Sequence, residues 1–314
     1  MIARLSVGLL LASLCAVSSS RAQDVSGLYS RDELARIARI YAPNIEAMWR
    51  DDFLSQLTAR ERLQAGAVTL RLPLFGIHRQ LLEFYSSAAR REVVLPVSSI
   101  KFVDDLAAAA VFYDQRGCGH GPVSDYVAAL RFRSSAEAPL DTLGVPASAL
   151  DDEIAKRIVS STLFFVMGHE FAHVMYAHRP YESISAVQAQ AQEIEADAFA
   201  LDVMRRISVP ALGVVHFFVL ASRLEPAAGG VVRLAATHPV SARRIAAIAD
   251  SIDANVRAFT KLQPDRRAAE ASLRARVQLL RGIAGILDDN RMRTFLEDRA
   301  RNADLSAFRR ACRF

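Results

Sequence analysis

The sequence predicts an α+β fold that is mainly α, with a helical core behind a small β-sheet and a helical C-terminal extension. Three observations predict it. From Asp152 onward the apolar residues recur at helical spacing, interrupted only where proline or paired glycines stand. Between Glu92 and Tyr113 the apolar runs are short and bounded by Pro96, Asp104-Asp105 and a glycine cluster, the punctuation of strands. The chain has 314 residues, 52% of them apolar, enough to bury one large core.

Taken in order, the chain opens on Met1-Ile2-Ala3-Arg4, a short positive segment, followed by an apolar run over 5–17. Ser20 and Ala22 are small residues at the −3 and −1 positions of a cleavage site. This predicts an export signal over residues 1–22, cut after Ala22, and a periplasmic or secreted protein. Leu14 before Cys15 argues against a lipoprotein signal. Residues 23–90 read as an N-terminal helical segment. Ser30 and Asp32-Glu33 open a helix towards Arg50, a second covers 53–63, and a short one follows over 78–90 after a break at Pro73 and Gly76. Residues 91–255 read as the core. Its strands are expected at 92–97, 100–103 and 107–113, and a loop-rich stretch at 114–150. A helix capped by Asp151 or Asp152 then runs through His178 and stops at Arg179-Pro180. Helices over 186–207 and 210–224 follow, then a flexible connection with Gly229-Gly230 and a helix from about Val240. Residues 256–314 form the extension, with helices over 265–287 and 291–310.

The net charge of +5 is carried by arginine, since Lys101, Lys156 and Lys261 are the only lysines. In the last part of the chain the arginines alternate with acids at helical intervals, which reads as a solvated face and argues against a nucleic-acid partner. A peripheral contact with a membrane or an envelope protein is left open, as is the oligomeric state. The apolar stretch 207–222 is too short to span a bilayer, and no other segment after the signal is expected to do so. In an oxidising compartment Cys118 and Cys312 could pair.

The chemistry concentrates in Gly168-His169-Glu170-Phe171-Ala172-His173. Residues four apart share a helix face, so His169 and His173 can offer two imidazoles to one metal ion. Glu170 stands beside them, where a carboxylate can take a proton from an activated water. A catalytic zinc takes three protein ligands. A third histidine six residues after the second, behind a glycine at the third, is excluded because Arg179 and Tyr176 hold those positions. Glu193-Ile194-Glu195-Ala196-Asp197 on the following helix supplies the alternative: Glu193 as an oxygen ligand, and Asp197 one turn on as the partner of a ligating imidazole's outer nitrogen. Glu195 is expected to point away. His178 reads as a residue of the helix C-terminus, His216 as core packing, and Cys118 with His120 as a turn or half a disulfide.

His169-Glu170-Phe171-Ala172-His173, then Glu193 to Ala200, then Thr237-His238-Pro239 through Ile245, resembles the HtpX and CAAX prenyl protease family of zinc metallopeptidases, of the gluzincin type. The similarity covers roughly residues 90–255. It implies a zincin-like core holding one zinc per chain through His169, His173 and Glu193, with Glu170 as general base and Asp197 behind a ligand. The His-Pro histidine, His238, is implied to stabilise the oxyanion, and Arg244 six residues on to share the cleft. The family's substrate-lining strands have only 107–113 and Gly117 to stand for them here, and a peptide is expected to lie beside 107–113. The resemblance points to an exported endopeptidase acting on unfolded, extended or misfolded envelope polypeptides. The competing readings are a protease-like chaperone or binding module that cuts little, and a zinc hydrolase of non-peptide amides.

Overall fold

Helix α5, Glu153–Met175, is apolar nearly all round, and such a helix is stable only at the centre of a fold. In the computed structural model, which describes residues 27–146, 152–224, 238 and 240–305, it lies there. The Asp152 side chain caps it, accepting from Ile154 N at 2.7 Å and Ala155 N at 3.2 Å. From Ser161 to Met175 every residue is buried. This helix is long and apolar enough to cross a membrane, contrary to the sequence expectation that no such segment follows the signal. Yet 89% of its apolar window is buried inside the protein.

Around α5 pack α6 (Ala186–Arg206), α7 (Leu212–Leu224) and α3 (Val97–Asp114). Glycines set the approach of two of them. A Cβ on Gly213 would lie 2.3 Å from Thr162 N and 2.4 Å from Ile158 O, so α7 rests on the α5 backbone itself. A Cβ on Gly168 would lie 3.1 Å from Ala200 Cα on α6. Polar contacts line the same seam: Thr162 Oγ1 donates to Gly213 O at 3.0 Å, and Gly213 N donates to Ser161 Oγ at 3.1 Å.

The sheet has three short strands, β1 Thr69–Arg71, β2 Tyr85–Ser87 and β3 Glu92–Val94, in the order β1-β3-β2. β1 pairs with β3 in parallel (Leu70 opposite Val93), and β2 pairs antiparallel (Ser86 opposite Val93). β2 and β3 lie against α5, which leaves β2 as the edge nearest the histidines.

Several expectations are corrected here. The strands expected at 100–103 and 107–113 are one helix, α3, buried over most of its length. Its alanines at 107–110 favour helix, and Asp104-Asp105 is no break. Asp104 accepts from the hydroxyl of Tyr41, which ties α1 (Arg31–Ala47) to α3, while Asp105 accepts from the Tyr29 hydroxyl and pairs with Lys101. The helix expected at 78–90 is irregular chain leading into β2, with Arg79 at φ +54°. The helix expected at 53–63 is divided into a π turn at Met48–Phe53, a 3-10 turn at Leu54–Gln56 and α2 at Ala59–Ala65. The loop-rich stretch contains α4, Gly121–Ala129, begun by Pro122.

Beyond the site lie α8 (Ala242–Ala254), the short α9 (Val256–Phe259), α10 (Arg266–Asp288) and α11 (Asn290–Arg301). α10 packs on α8 and α7 through Leu273, Val277 and Leu280, which belong to the same buried cluster as Phe165 and Phe171 of α5. The export signal and the connection over 225–237 lie outside the described residues. Cys118 is disulfide-bonded, and its expected partner Cys312 also lies outside them.

Candidate metal centre

Two helices and one loop residue build the site. α5 presents His169 and His173 one turn apart, with Nε2 atoms 3.1 Å from each other. α6 brings Glu193, whose Oε1 is 3.2 Å from His173 Nε2 and whose Oε2 is 3.6 Å from His169 Nε2. His238 places Nδ1 3.2 Å from His169 Nε2 and 3.1 Å from Glu193 Oε1. One donor atom from each of these four residues lies within 4.8 Å of the others, a group that could hold a metal ion.

The donor set fits such an ion. Two imidazole nitrogens and a carboxylate oxygen are the ligands that suit zinc. Ligands must also be deprotonated, and the surroundings favour that for His173 and Glu193. Burial holds His173 neutral, down to about 4. Glu193 lies well below the usual carboxylate range: burial opposes this, but the Arg244 guanidinium and the imidazoles of His238 and His169 outweigh it.

The outer shell is charged and buried. Asp197 Oδ1 is 2.8 Å from His169 Nδ1. Arg244, at the start of α8, forks onto Asp197 with Nε at 2.7 Å and Nη2 at 2.8 Å, and its Nη1 reaches Glu193 Oε2 at 2.5 Å. Ser241 caps α8 by accepting from Arg244 N, which points the arginine back into the core. The cleft role expected for Arg244 is thus refined, because its guanidinium spans two carboxylates and positions them.

Glu170 is 1% exposed. Its Oε1 lies 3.2 Å from His238 Nε2, while its Oε2 is buried without a hydrogen-bond partner among the described residues. Burial raises its pKa, but His238, His169 and His173 beside it bring it down to about 2. The converse holds for His238: burial lowers it, and Glu170 and Glu193 lift it to about 10. His238 Nε2 also lies 3.2 Å from Phe84 O, next to the edge strand.

Every site residue expected from sequence is therefore in one place. Three residues were missed. The Tyr181 hydroxyl donates to Glu193 Oε1. His178 Nδ1 lies 2.8 Å from His173 Nδ1, and Glu195, expected to point away, reaches His178 Nε2 at 3.2 Å. The sequence signal for Tyr181 was its place just after Arg179-Pro180; His178 required knowing that α5 ends at Met175.

Residues 134–261 match the family model of Peptidase U49, which indicates a peptidase family. The match holds α5, α6 and His238, and covers less than half of the chain. No curated protein and no solved structure matches the chain.

Proposed function

We propose that this protein is a zinc-dependent metalloendopeptidase of the HtpX and CAAX prenyl protease type, exported by its N-terminal signal and acting on extended or misfolded polypeptides of the envelope. The observation that carries this reading is a buried carboxylate with one orphan oxygen, Glu170, beside three convergent donors, His169, His173 and Glu193. A pure binding site has no need of that carboxylate.

When bound by these three residues, zinc supplies Lewis acidity that acidifies water and polarises a carbonyl. Glu170 takes the proton of the attacking water and hands it to the leaving amine nitrogen, so the C–N bond breaks as the C–O bond is kept. His238, with Nε2 beside Glu170, donates an N–H to the carbonyl oxygen as it gains charge. Asp197 and Arg244 hold His169 and Glu193 in place and touch no reacting atom.

Two spaces meet at His238 and fit a polypeptide. One is an open groove of about 500 Å³ between β2 and residues 179–182, with His173 and His238 at its side. An extended chain laid along edge strand β2 gains backbone hydrogen bonds regardless of sequence. This replaces the edge expected at 107–113, which is buried helix. The other is a small pocket beside Glu170, walled by Leu82, Phe84, Phe165, Val166, Phe217 and Leu224, which suits an apolar side chain next to the scissile bond.

The test is zinc analysis of the mature protein with cleavage of unfolded casein, with and without chelator. About one zinc per chain is expected. Glu170→Gln should keep the metal and lose cleavage; a metal-free preparation that cleaves, or an active Glu170→Gln protein, sinks the proposal. The alternative, a chaperone or binding module, draws on a specific feature: His238 Nδ1 lies within the same donor group, and four protein donors would make a closed site. Under that reading Glu170→Gln leaves the protein's effect unchanged.

A further inference from the structure

Helix α5 ends at Met175 in a full Schellman closure. Ala177 N donates to Val174 O at 3.2 Å, and His178 N donates to His173 O at 3.0 Å. The left-handed position of this closure is usually glycine, but here it is Ala177 at φ +52°. The reversal carries His178 back over the last turn. There the His173 and His178 rings meet edge to face, with centroids 4.7 Å apart. The His178 side chain is 7% exposed, and Glu195 Oε2 on α6 faces its other nitrogen.

Two ring nitrogens 2.8 Å apart must be one donor and one acceptor. Glu195, as a carboxylate, only accepts, so it places the proton of a neutral His178 on Nε2. Nδ1 of His178 is then a lone pair, which takes the N–H of His173 Nδ1. That leaves the lone pair of His173 on Nε2, facing the Glu193 carboxylate at 3.2 Å and His169 Nε2 at 3.1 Å, a set of acceptors that a cation among them satisfies. Of the other ligating histidine, Nδ1 lies 2.8 Å from Asp197 Oδ1.

We propose that His178 and Glu195 are positioning residues: a two-step relay that fixes the tautomer and tilt of His173 so that it ligates through Nε2. This rests on the metal-centre reading above, and the experiment separates the two. Long-range ¹⁵N–¹H correlation spectra of the full-length protein, recorded with zinc bound, report which nitrogen of each imidazole carries hydrogen. His173 should be protonated on Nδ1 and His178 on Nε2. Zinc affinity is then measured by competition with a chromophoric chelator. His178→Ala should weaken it about 10- to 100-fold, the range for outer-shell partners of a ligating histidine. His178→Gln, which restores an acceptor oxygen, should recover part of the loss. Glu195→Leu should move His178 off the Nε2-protonated form, while Glu195→Gln should not.

Wild-type affinity in His178→Ala overturns the relay, as does a His178 protonated on Nδ1 or on both nitrogens. Should the wild-type protein take up no added zinc and still show these tautomers, the relay stands and the peptidase reading falls.

Discussion

Arg244 sets the charge balance of the candidate centre. It is 2% exposed and faces two buried carboxylates, Asp197 and Glu193, which raise its already high pKa although burial opposes this. A buried cation removed from such a pair leaves anions without compensation, a loss of about 3–5 kcal/mol. Arg244→Met should therefore lower the stability of the metal-free protein by about that amount in urea denaturation. Arg244→Lys, which keeps the charge and loses the fork, should fall between. A Met variant as stable as the parent would show that the two carboxylates are protonated. At this scale the sequence was legible where chemistry follows local spacing: His169 with His173, and Glu193 with Asp197, are each one helical turn apart. It was not legible for His178. The contact of His178 with His173 depends on Ala177 adopting a left-handed conformation that alanine does not advertise.

The elements are held in place by a few contacts whose cost can be tested. Gly213 of α7 lies against the α5 backbone, and a methyl group there would have to push two core helices apart. Overpacking of this kind costs about 1–3 kcal/mol. Gly213→Ala is expected to show that loss in thermal or urea unfolding; an unchanged midpoint would mean the helices yield freely. A second tie joins α2 to the last turn of α6. Glu61 completes the capping box with Thr58 and accepts two bonds from Arg206, at 2.6 and 2.8 Å. The hydrogen bonds from Arg206 hold the Glu61 carboxyl down to about 2 despite partial burial.

Because the folded pKa of Glu61 is lower than its unfolded value of about 4.3, its contribution is complete above the unfolded value. It is lost as pH falls from there through about 2. Solvent screens this pair, so the contribution is about 1 kcal/mol. Glu61→Gln should be less stable than the parent at neutral pH, with the difference closing between about pH 4.3 and 2. A difference that persists at the acid end would assign the effect to packing.

At the scale of the element, the helices from α5 onward follow the sequence closely, because their caps and stops are local: Asp152, Ser185, Ser241 and Asp265 each bond the first turn of their helix. α3 did not follow, since a continuous apolar run has the same composition in a buried strand and a buried helix.

Across the whole molecule, the donors come from α5, α6 and a residue 45 positions beyond Glu193, so an ion held there would clamp separate parts of the fold. A ligand that binds only the folded state adds stability by mass action, about 2.7 kcal/mol at a hundredfold excess over Kd. Zinc should accordingly raise the melting temperature by roughly 5 °C or more, and a chelator should reverse the rise. Glu170→Gln should keep this shift, while His173→Ala should abolish it. A melting temperature indifferent to zinc in the parent protein would count against the centre.

From the sequence alone came the expectation that His169, His173 and Glu193 converge, the helices that carry them and the order in which they occur, since helical periodicity and end-capping act over a few residues. The tertiary structure alone decided which strand is the open edge, what stands behind His173, and where Arg244 points. Those depend on contacts such as His238 with Phe84, 154 residues apart, and nothing in the local chain specifies which distant surfaces will meet.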